Sequence, residues 1–338
     1  LGNNKNNYKP NNSKLLKKIL KYLVIGILLF FTLSLGYIKF ILPDVGDAPD
    51  MKVELTPERI KRGEYLANHV TVCIDCHSAR DWMRYSGPPI EGTLGKGGDV
   101  FDQKFGFPGF YTSKNITPAA LADWTDGEIF RAITAGVSKD GKALFPVMPY
   151  PYYGQMDEED IKCIIAYIRT LKPIENKPAE SKSDFPFSLI INTLPKKGVP
   201  QPRPDVKDVV ATGKYLINAA SCMECHTKFD KGQLVAGAEF GGGREFPFPD
   251  GTILRSSNIT PDPIAGIGSM SKEQFINMFR TRSDSTLINS MLNPGDLNTI
   301  MPWGMYGGMT DEDLGAIYAY LGTVKPIKEK VLKYSVPN

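Results

Sequence analysis

At 338 residues the chain has room for two domains of ordinary size, and its 32 glycines and 26 prolines follow no collagen-like period. The formal charge of +3 divides unevenly. Residues 1–42 carry seven lysines and no acid, which leaves 33 basic against 37 acidic side chains in the rest, a balance of −4 (33 − 37). A nucleic-acid partner would require a basic patch on the folded part, and none is present in the sequence.

In chain order, residues 1–18 read as a disordered tail, with Asn and Lys abundant in its first 13 positions. Residues 19–42 read as a transmembrane anchor. Their uncharged run over 22–38 extends to 42 if Lys39 snorkels, which approaches the ~20 residues needed to cross a hydrocarbon core. Lys14, Lys17, Lys18 and Lys21 crowd its N-terminal side, so the positive-inside rule places that side in the cytoplasm and everything after Pro43 across the membrane. A cleaved secretory signal is the alternative, with Ser34-Leu35-Gly36 as a cleavage site. The apolar run is longer than the ~7–15 residues of a signal core, which favours a retained anchor.

Beyond residue 43 the chain repeats itself. "RGEYLANHVTVCIDCH" at 62–77 resembles "TGKYLINAASCMECH" at 212–226, with one extra residue in the first copy. "NITP" occurs at 115–118 and at 258–261. Residues 148–174 match 301–327 without gaps, with 14 of 27 positions identical. Two domains are therefore expected, 43–174 and 208–328, with a tail at 329–338. Between them a proline-rich connector, 175–207, has an apolar middle, "FPFSLIINTL", expected to pack against one or both domains and fix their orientation.

Each domain is expected to open with a helix that ends in its cysteine motif and to close with a better-marked one. Thr310 with Asp313 gives a capping-box-like start, and Asp157 is the cap in the first copy. Ile161, Ile164, Ile165 and Ile168 recur at helical spacing, as do Leu314, Ile317, Tyr318 and Leu321, and both helices stop before Lys-Pro. No alternating strand series is evident, so the fold class expected is all-α.

The motifs "CIDCH" and "CMECH" both have the C-x-x-C-H spacing of c-type haem attachment, in which two thiols form thioethers and the adjacent histidine ligates iron. This identifies Cys73, Cys76, His77, Cys222, Cys225 and His226 as cofactor-binding residues, in preference to a zinc site or a disulfide framework. Two covalently attached haems follow. Such attachment suits an exported chain. The fifth cysteine, Cys163, aligns with Ala316 and reads as a small packing position.

With three histidines in the chain, only His69 remains beyond the two proximal ligands. It precedes Cys73 by four residues and is poorly placed to reach the opposite ring face, so the distal ligands must come from elsewhere. Methionine supplies a soft thioether. The repeat selects Met148 with Met301 and Met156 with Met309. The latter pair sits at the staple position before a helix cap, which gives it a packing role. Met148 and Met301 precede prolines, which hold them extended and away from helical hydrogen bonding. They are the axial ligands expected here. Tyr153 and Tyr306 line the haem or the core, and Arg80 and Arg255 are candidate propionate partners.

The order C-x-x-C-H, "NITP", "WTDGEIFRAITAGV", "LFPVMPY" and "EEDIKCIIAYIRTLKPI" resembles the c-type cytochrome subunits of bacterial membrane alcohol and gluconate dehydrogenases, over nearly all of 50–328. The resemblance implies two tandem cytochrome c-type haem domains behind a single-pass helix, a periplasmic electron carrier, and His/Met ligation through His77 with Met148 and His226 with Met301. It also implies redox partners: a dehydrogenase, a quinol-oxidising complex or a terminal oxidase. Two departures stand out. Such subunits commonly carry three haem signatures where this chain has two, and "GSMSKEQFINMFRTR" replaces the second W-T-D/E-G segment. Three functions follow for test: a membrane-anchored dihaem electron carrier, an electron-transfer subunit of a dehydrogenase, and a dihaem peroxidase. The matched Met-Pro pairs argue against the last, which needs an iron position that can be vacated.

Overall fold

The computed structural model describes residues 12–230, 232–293 and 295–336. The first eleven residues of the expected tail therefore lie outside the described residues, as do 337–338 of the expected C-terminal tail. A helix already runs from Asn12 to Phe40, so residues 12–18 are helical rather than disordered. The reason is compositional: Lys and Leu in this stretch are good helix formers, continuous with the apolar run that follows. Ser13–Phe40 is long and apolar enough to cross a membrane, and none of its apolar window is buried against the rest of the chain.

The remaining described chain contains two halves built on the same helix pair. In the first, the Pro57–Tyr65 helix starts at Thr56, whose hydroxyl accepts from the Arg59 N–H, and packs against the Glu158–Thr170 helix. In the second, the Val209–Ala219 helix, capped by Asp208, packs against Asp311–Leu321. The crossing points are glycines. A Cβ on Gly63 would lie 1.8 Å from the Cys163 carbonyl oxygen, and one on Gly213 would lie 1.9 Å from that of Ala316. Cys163 is buried at this crossing as a small residue. The closing helices are capped by Asp157 and Thr310, each accepting from a backbone N–H of the first turn.

The extra residue of the first copy has a structural form. Residues Leu66–Val70 make a π-helical turn, and the Thr71 N–H donates to Leu66 O, five residues back, at 2.8 Å. A π-turn absorbs one more residue than an α-turn without breaking the helix. Neither opening helix runs into its cysteine motif. Val72 (φ 47°) and Ser221 (φ 52°) adopt the left-handed conformation, and a separate turn, Cys73–Cys76 or Cys222–Cys225, follows. A β-branched valine there is strained, at a cost on the order of 1–3 kcal/mol.

All-α is an approximation. Short antiparallel strands pair Val100–Phe101 with Gly109–Thr112 and the latter with Lys182–Ser183; Glu245–Pro247 pairs with Ile253–Arg255, which pairs with Tyr334–Ser335. A further short pair joins Phe229–Asp230 to Gln233–Leu234. At two to four residues each, these strands are too short to display an alternating pattern.

The halves meet directly. Tyr65 OH donates to Asp313 Oδ2 (2.5 Å) and accepts from the Thr310 N–H (3.2 Å). Tyr215 OH donates to Asp160 Oδ2 (2.7 Å) and accepts from the Asp157 N–H (3.2 Å). The opening helix of each half thus caps the closing helix of the other. Buried residues of both halves, including Ile161, Ile164, Leu314 and Leu321, form one contiguous core. The connector is not what joins them. It follows the first half, through the strand Lys182–Ser183 and the Arg203 N–H bond to Asp157 Oδ2 (2.9 Å), and it also touches the N-terminal helix.

Candidate functional site

Each C-x-x-C-H motif forms one helical turn, which places cysteines three apart on the same side. None of the four motif cysteines is in a disulfide, and burial disfavours their thiolate forms, pushing Cys222 up to about 12.

The imidazoles are fixed in matching ways. His77 Nδ1–H donates to Lys114 O at 2.6 Å, and His226 Nδ1–H donates to Ser257 O at 2.7 Å. With Nδ1 protonated and bonded, the tautomer leaves Nε2 with its lone pair free for a metal. Burial lowers both histidines below the ordinary imidazole range and so keeps this lone pair unprotonated.

The repeated "NITP" holds those two carbonyls in place. Asn115 follows Lys114; its amide donates to Ile174 O (2.8 Å), while its side-chain oxygen accepts from the Thr117 N–H and hydroxyl. Asn258 follows Ser257 and repeats the clamp, with Ile327 O (2.7 Å) and Thr260. Each clamp ties the carbonyl-bearing segment to the Lys-Pro-Ile segment after the closing helix. Gly97 and Gly242 complete it: their N–H groups donate to His77 O (2.8 Å) and His226 O (2.7 Å). Both have positive φ, and a Cβ on either would lie 2.5 Å from the backbone of Lys114 or Ser257.

The methionine pairs separate by environment. Met156 and Met309 are fully buried before the caps Asp157 and Thr310, as the staple relation predicts. Met148 and Met301 are partly buried against the core, and in both the carbonyl accepts from the N–H two residues on, Tyr150 at 2.7 Å and Trp303 at 2.8 Å. The short helices that follow are tied to the proximal side. Tyr153 OH donates to Thr71 O (2.8 Å) and Tyr306 OH to Ala220 O (2.9 Å), just ahead of the left-handed residues. The repeat singles out both tyrosines in the sequence, but this role depends on partners 82 and 86 residues away.

His69 is a packing residue in the contact between halves. Its Nδ1–H donates to Met305 O at 2.9 Å, and its ring lies against Gly308, where a Cβ would come within 2.1 Å. The two arginines considered as propionate partners are committed to protein acceptors. Arg80 pairs with Asp75 (3.1 Å) and donates to Gly87 O and Ser86 O; Arg255 pairs with Glu245 and donates to the Ser335 hydroxyl.

Residues 210–325 match the cytochrome c family. This stretch contains the second motif, its clamp and Met301. Residues 210–325 form a cytochrome c domain. The family is that of c-type cytochromes, and relatives that match about four fifths of the chain are named as cytochromes too. It is 26% identical over 286 residues to the cytochrome c subunit of alcohol dehydrogenase (quinone) from Gluconacetobacter polyoxogenes, covering 79% of this chain and 56% of that protein. To the gluconate 2-dehydrogenase cytochrome c subunit of Pantoea cypripedii it is 29% identical over 283 residues, 78% of this chain and 58% of that one. A "diheme cytochrome c-type" protein of Cereibacter sphaeroides is 27% identical over 298 residues, 83% of this chain and 90% of that one. The chain thus spans little more than half of the dehydrogenase subunits it matches.

The cytochrome c domain fits its implied haem on its own geometry. Two cysteines share one turn, an adjacent half-buried imidazole has Nε2 free, and the Ser221 hydroxyl just before them is buried without a protein partner. The first half presents the same donor set, oriented by the same kind of clamp.

Proposed function

We propose that the chain is an electron-transfer cytochrome with one c-type haem in each half, over 43–174 and 208–328. Cys73 and Cys76 hold the first by thioether bonds, with His77 and Met148 as iron ligands; Cys222 and Cys225 hold the second, with His226 and Met301. The observation that carries this reading is the duplicated fixation of an imidazole by a clamped carbonyl, at Lys114 and at Ser257. Bound haem supplies one reversible electron at iron, and a thioether ligand raises its potential relative to a second imidazole. The chain's own residues do the rest. The carbonyls of Lys114 and Ser257 set the ring planes, the Met-Pro segments offer sulfur, and the buried core excludes water.

Residues 19–42 would anchor the protein in the cytoplasmic membrane with both halves in the periplasm. Within that setting the names of its relatives favour an electron-transfer subunit of a quinone-linked membrane dehydrogenase. A free-standing dihaem carrier is the second reading, favoured by the relative of which this chain covers 90%. His69, engaged with Met305 O, gives no support to a peroxidase.

Mass analysis of native protein tests the core of the proposal: two covalently attached porphyrins are expected, and fewer would overturn it. Both should be low-spin with the red methionine-to-iron charge-transfer band, unchanged by peroxide. Purification in mild detergent separates the two readings, since a dehydrogenase subunit brings its partner with it and a free-standing carrier emerges alone.

A further inference from the structure

The apolar middle of the connector faces outward beside the end of the N-terminal helix. It folds as two 3-10 turns, Phe187–Leu189 and Ile191–Thr193, with no charged residue between Asp184 and Lys196. One aromatic ring turns inward: Phe187 packs edge-on against Phe145, with centroids 5.6 Å apart. Others do not. Phe185 is 80% exposed, and Leu189 and Ile190 are each more than 40% exposed. The segment's inner side is tied to the first half, by the Asp184 N–H bond to Pro108 O (2.9 Å) and the Gln103 amide bond to Asp184 Oδ2 (2.7 Å). Its outward side is therefore held in place, not loosely draped.

Asn192 fixes the depth of this surface. Its amide donates to Ile38 O (3.1 Å) and Leu42 O (3.2 Å), carbonyls at and just beyond the end of the Asn12–Phe40 helix. Carbonyls at a helix C-terminus have no partner within the helix, and leaving them unpaired near hydrocarbon is costly. The uncharged run 22–38, at 1.5 Å per residue, spans about 25 Å, somewhat short of a core of about 30 Å. Ile38 and Leu42 then lie at the edge of the hydrocarbon, and so does Asn192. Thr193 also lines a shallow apolar cleft with Phe30, Leu33, Tyr37 and Leu42. Exposed Lys196 and Lys197 follow directly, placed for lipid headgroups.

We propose that residues 185–194 are a second membrane contact, an apolar turn that lies in the outer-face interface of the phospholipid bilayer beside the anchor. It rests on the reading of 19–42 as a retained anchor. With a single helix the two halves would be held to the bilayer at one point only, although residues 43–50 pack against the first half through Val45 and Pro49. With a second contact on the same body, both halves stand at a fixed height and tilt above the lipid, where electrons arriving from a membrane enzyme meet the same face each time.

The test uses the full-length holoprotein in nanodiscs of phosphatidylethanolamine and phosphatidylglycerol containing a diazirine-bearing phospholipid, with adducts mapped by peptide mass analysis. Adducts are expected within 22–42 and at 185–190. In the variant carrying Phe185→Ser, Leu189→Ser and Ile190→Ser, those at 185–190 should fall to background while those in 22–42 persist with both porphyrins attached. Labelling of 22–42 without 185–190 overturns the proposal, and so does a connector shielded by a protein partner, which leaves the same pattern. Labelling at 185–190 in a chain that has lost 22–42 supports the second contact and removes the anchor reading. Absence of both overturns both.

Discussion

The Ser86 hydroxyl donates to Met301 O at 2.6 Å and accepts from the Trp303 N–H at 3.1 Å, so a side chain of the first half brackets Pro302 in the second. Ser86 is buried in the left-handed conformation (φ 65°), and its N–H donates to Asn298 Oδ1 at 2.9 Å. Arg80 holds the Ser86 and Gly87 carbonyls while paired with Asp75, which lies inside the first cysteine motif. A continuous polar path thus runs from one candidate haem site to the methionine of the other. Met148 has no such brace from the opposite half among the described contacts.

Ser86→Ala should lower stability by about 1–3 kcal/mol, the usual effect of removing buried hydrogen bonds. Ser86→Gly loses the same bonds but suits the left-handed backbone, and should cost less. Denaturant midpoints of the three proteins check the order. If Met301 is an iron ligand, both variants should also weaken the charge-transfer band of one haem and spare the other.

The methionine assignment predicts a crossed outcome. Met156→Ala removes a fully buried core side chain and should cost about 2–5 kcal/mol, with the haem spectra intact. Met148→Ala should cost less stability, yet convert one haem to high spin while both stay covalently attached. Optical spectra and unfolding curves on the same samples decide. Spectral change in Met156→Ala alone would move the ligands to the staple pair.

Asn258→Ala opens the clamp behind the second imidazole. The buried amide's bonds to Ile327 O and Thr260 are lost, at about 1–3 kcal/mol. The Ser257 carbonyl then loses its restraint, so the His226 ring should reorient, visible as a shifted magnetic-resonance signature of that haem. Asn115→Ala should act on the first haem in the same way. An unchanged spectrum in both would leave "NITP" a purely structural tie.

Much of this was legible in the sequence for identifiable reasons. The cysteine motifs have a spacing set by a cofactor, and the caps at Asp157 and Thr310 are local. The second half's apparent loss of the W-T-D-G segment was a loss of residues rather than of structure. Thr125 with Glu128 and Ser271 with Gln274 each form a capping box that starts the corresponding helix. That signal was present in "SKEQ" and could have been read. The strain at Val72 and Ser221, the role of "NITP" and the Ser86 brace were not legible, because each depends on partners tens to hundreds of residues away. The connector was expected to hold the halves together by its apolar content. Direct contacts do that, which frees the apolar residues for the outer surface.

The reciprocal tyrosines give an unequal pair. Tyr215 OH bonds to Asp160, which is buried and also paired with Arg62 (3.0 Å) and Arg203 (3.4 Å); Tyr65 OH bonds to the partly exposed Asp313. Desolvation pushes both phenols well above the ordinary tyrosine range, so both remain donors at any physiological pH. Tyr215→Phe removes a donor from a buried carboxylate and should cost about 1.5–3 kcal/mol, and Tyr65→Phe about 0.5–1.5 kcal/mol. The sites share one interface, so the double variant should depart from additivity, with the second loss smaller once the first has loosened the contact. Unfolding of the four proteins measures this coupling. Strict additivity would mean that the two halves meet as independent bodies, and the core drawn through both of them would not behave as one.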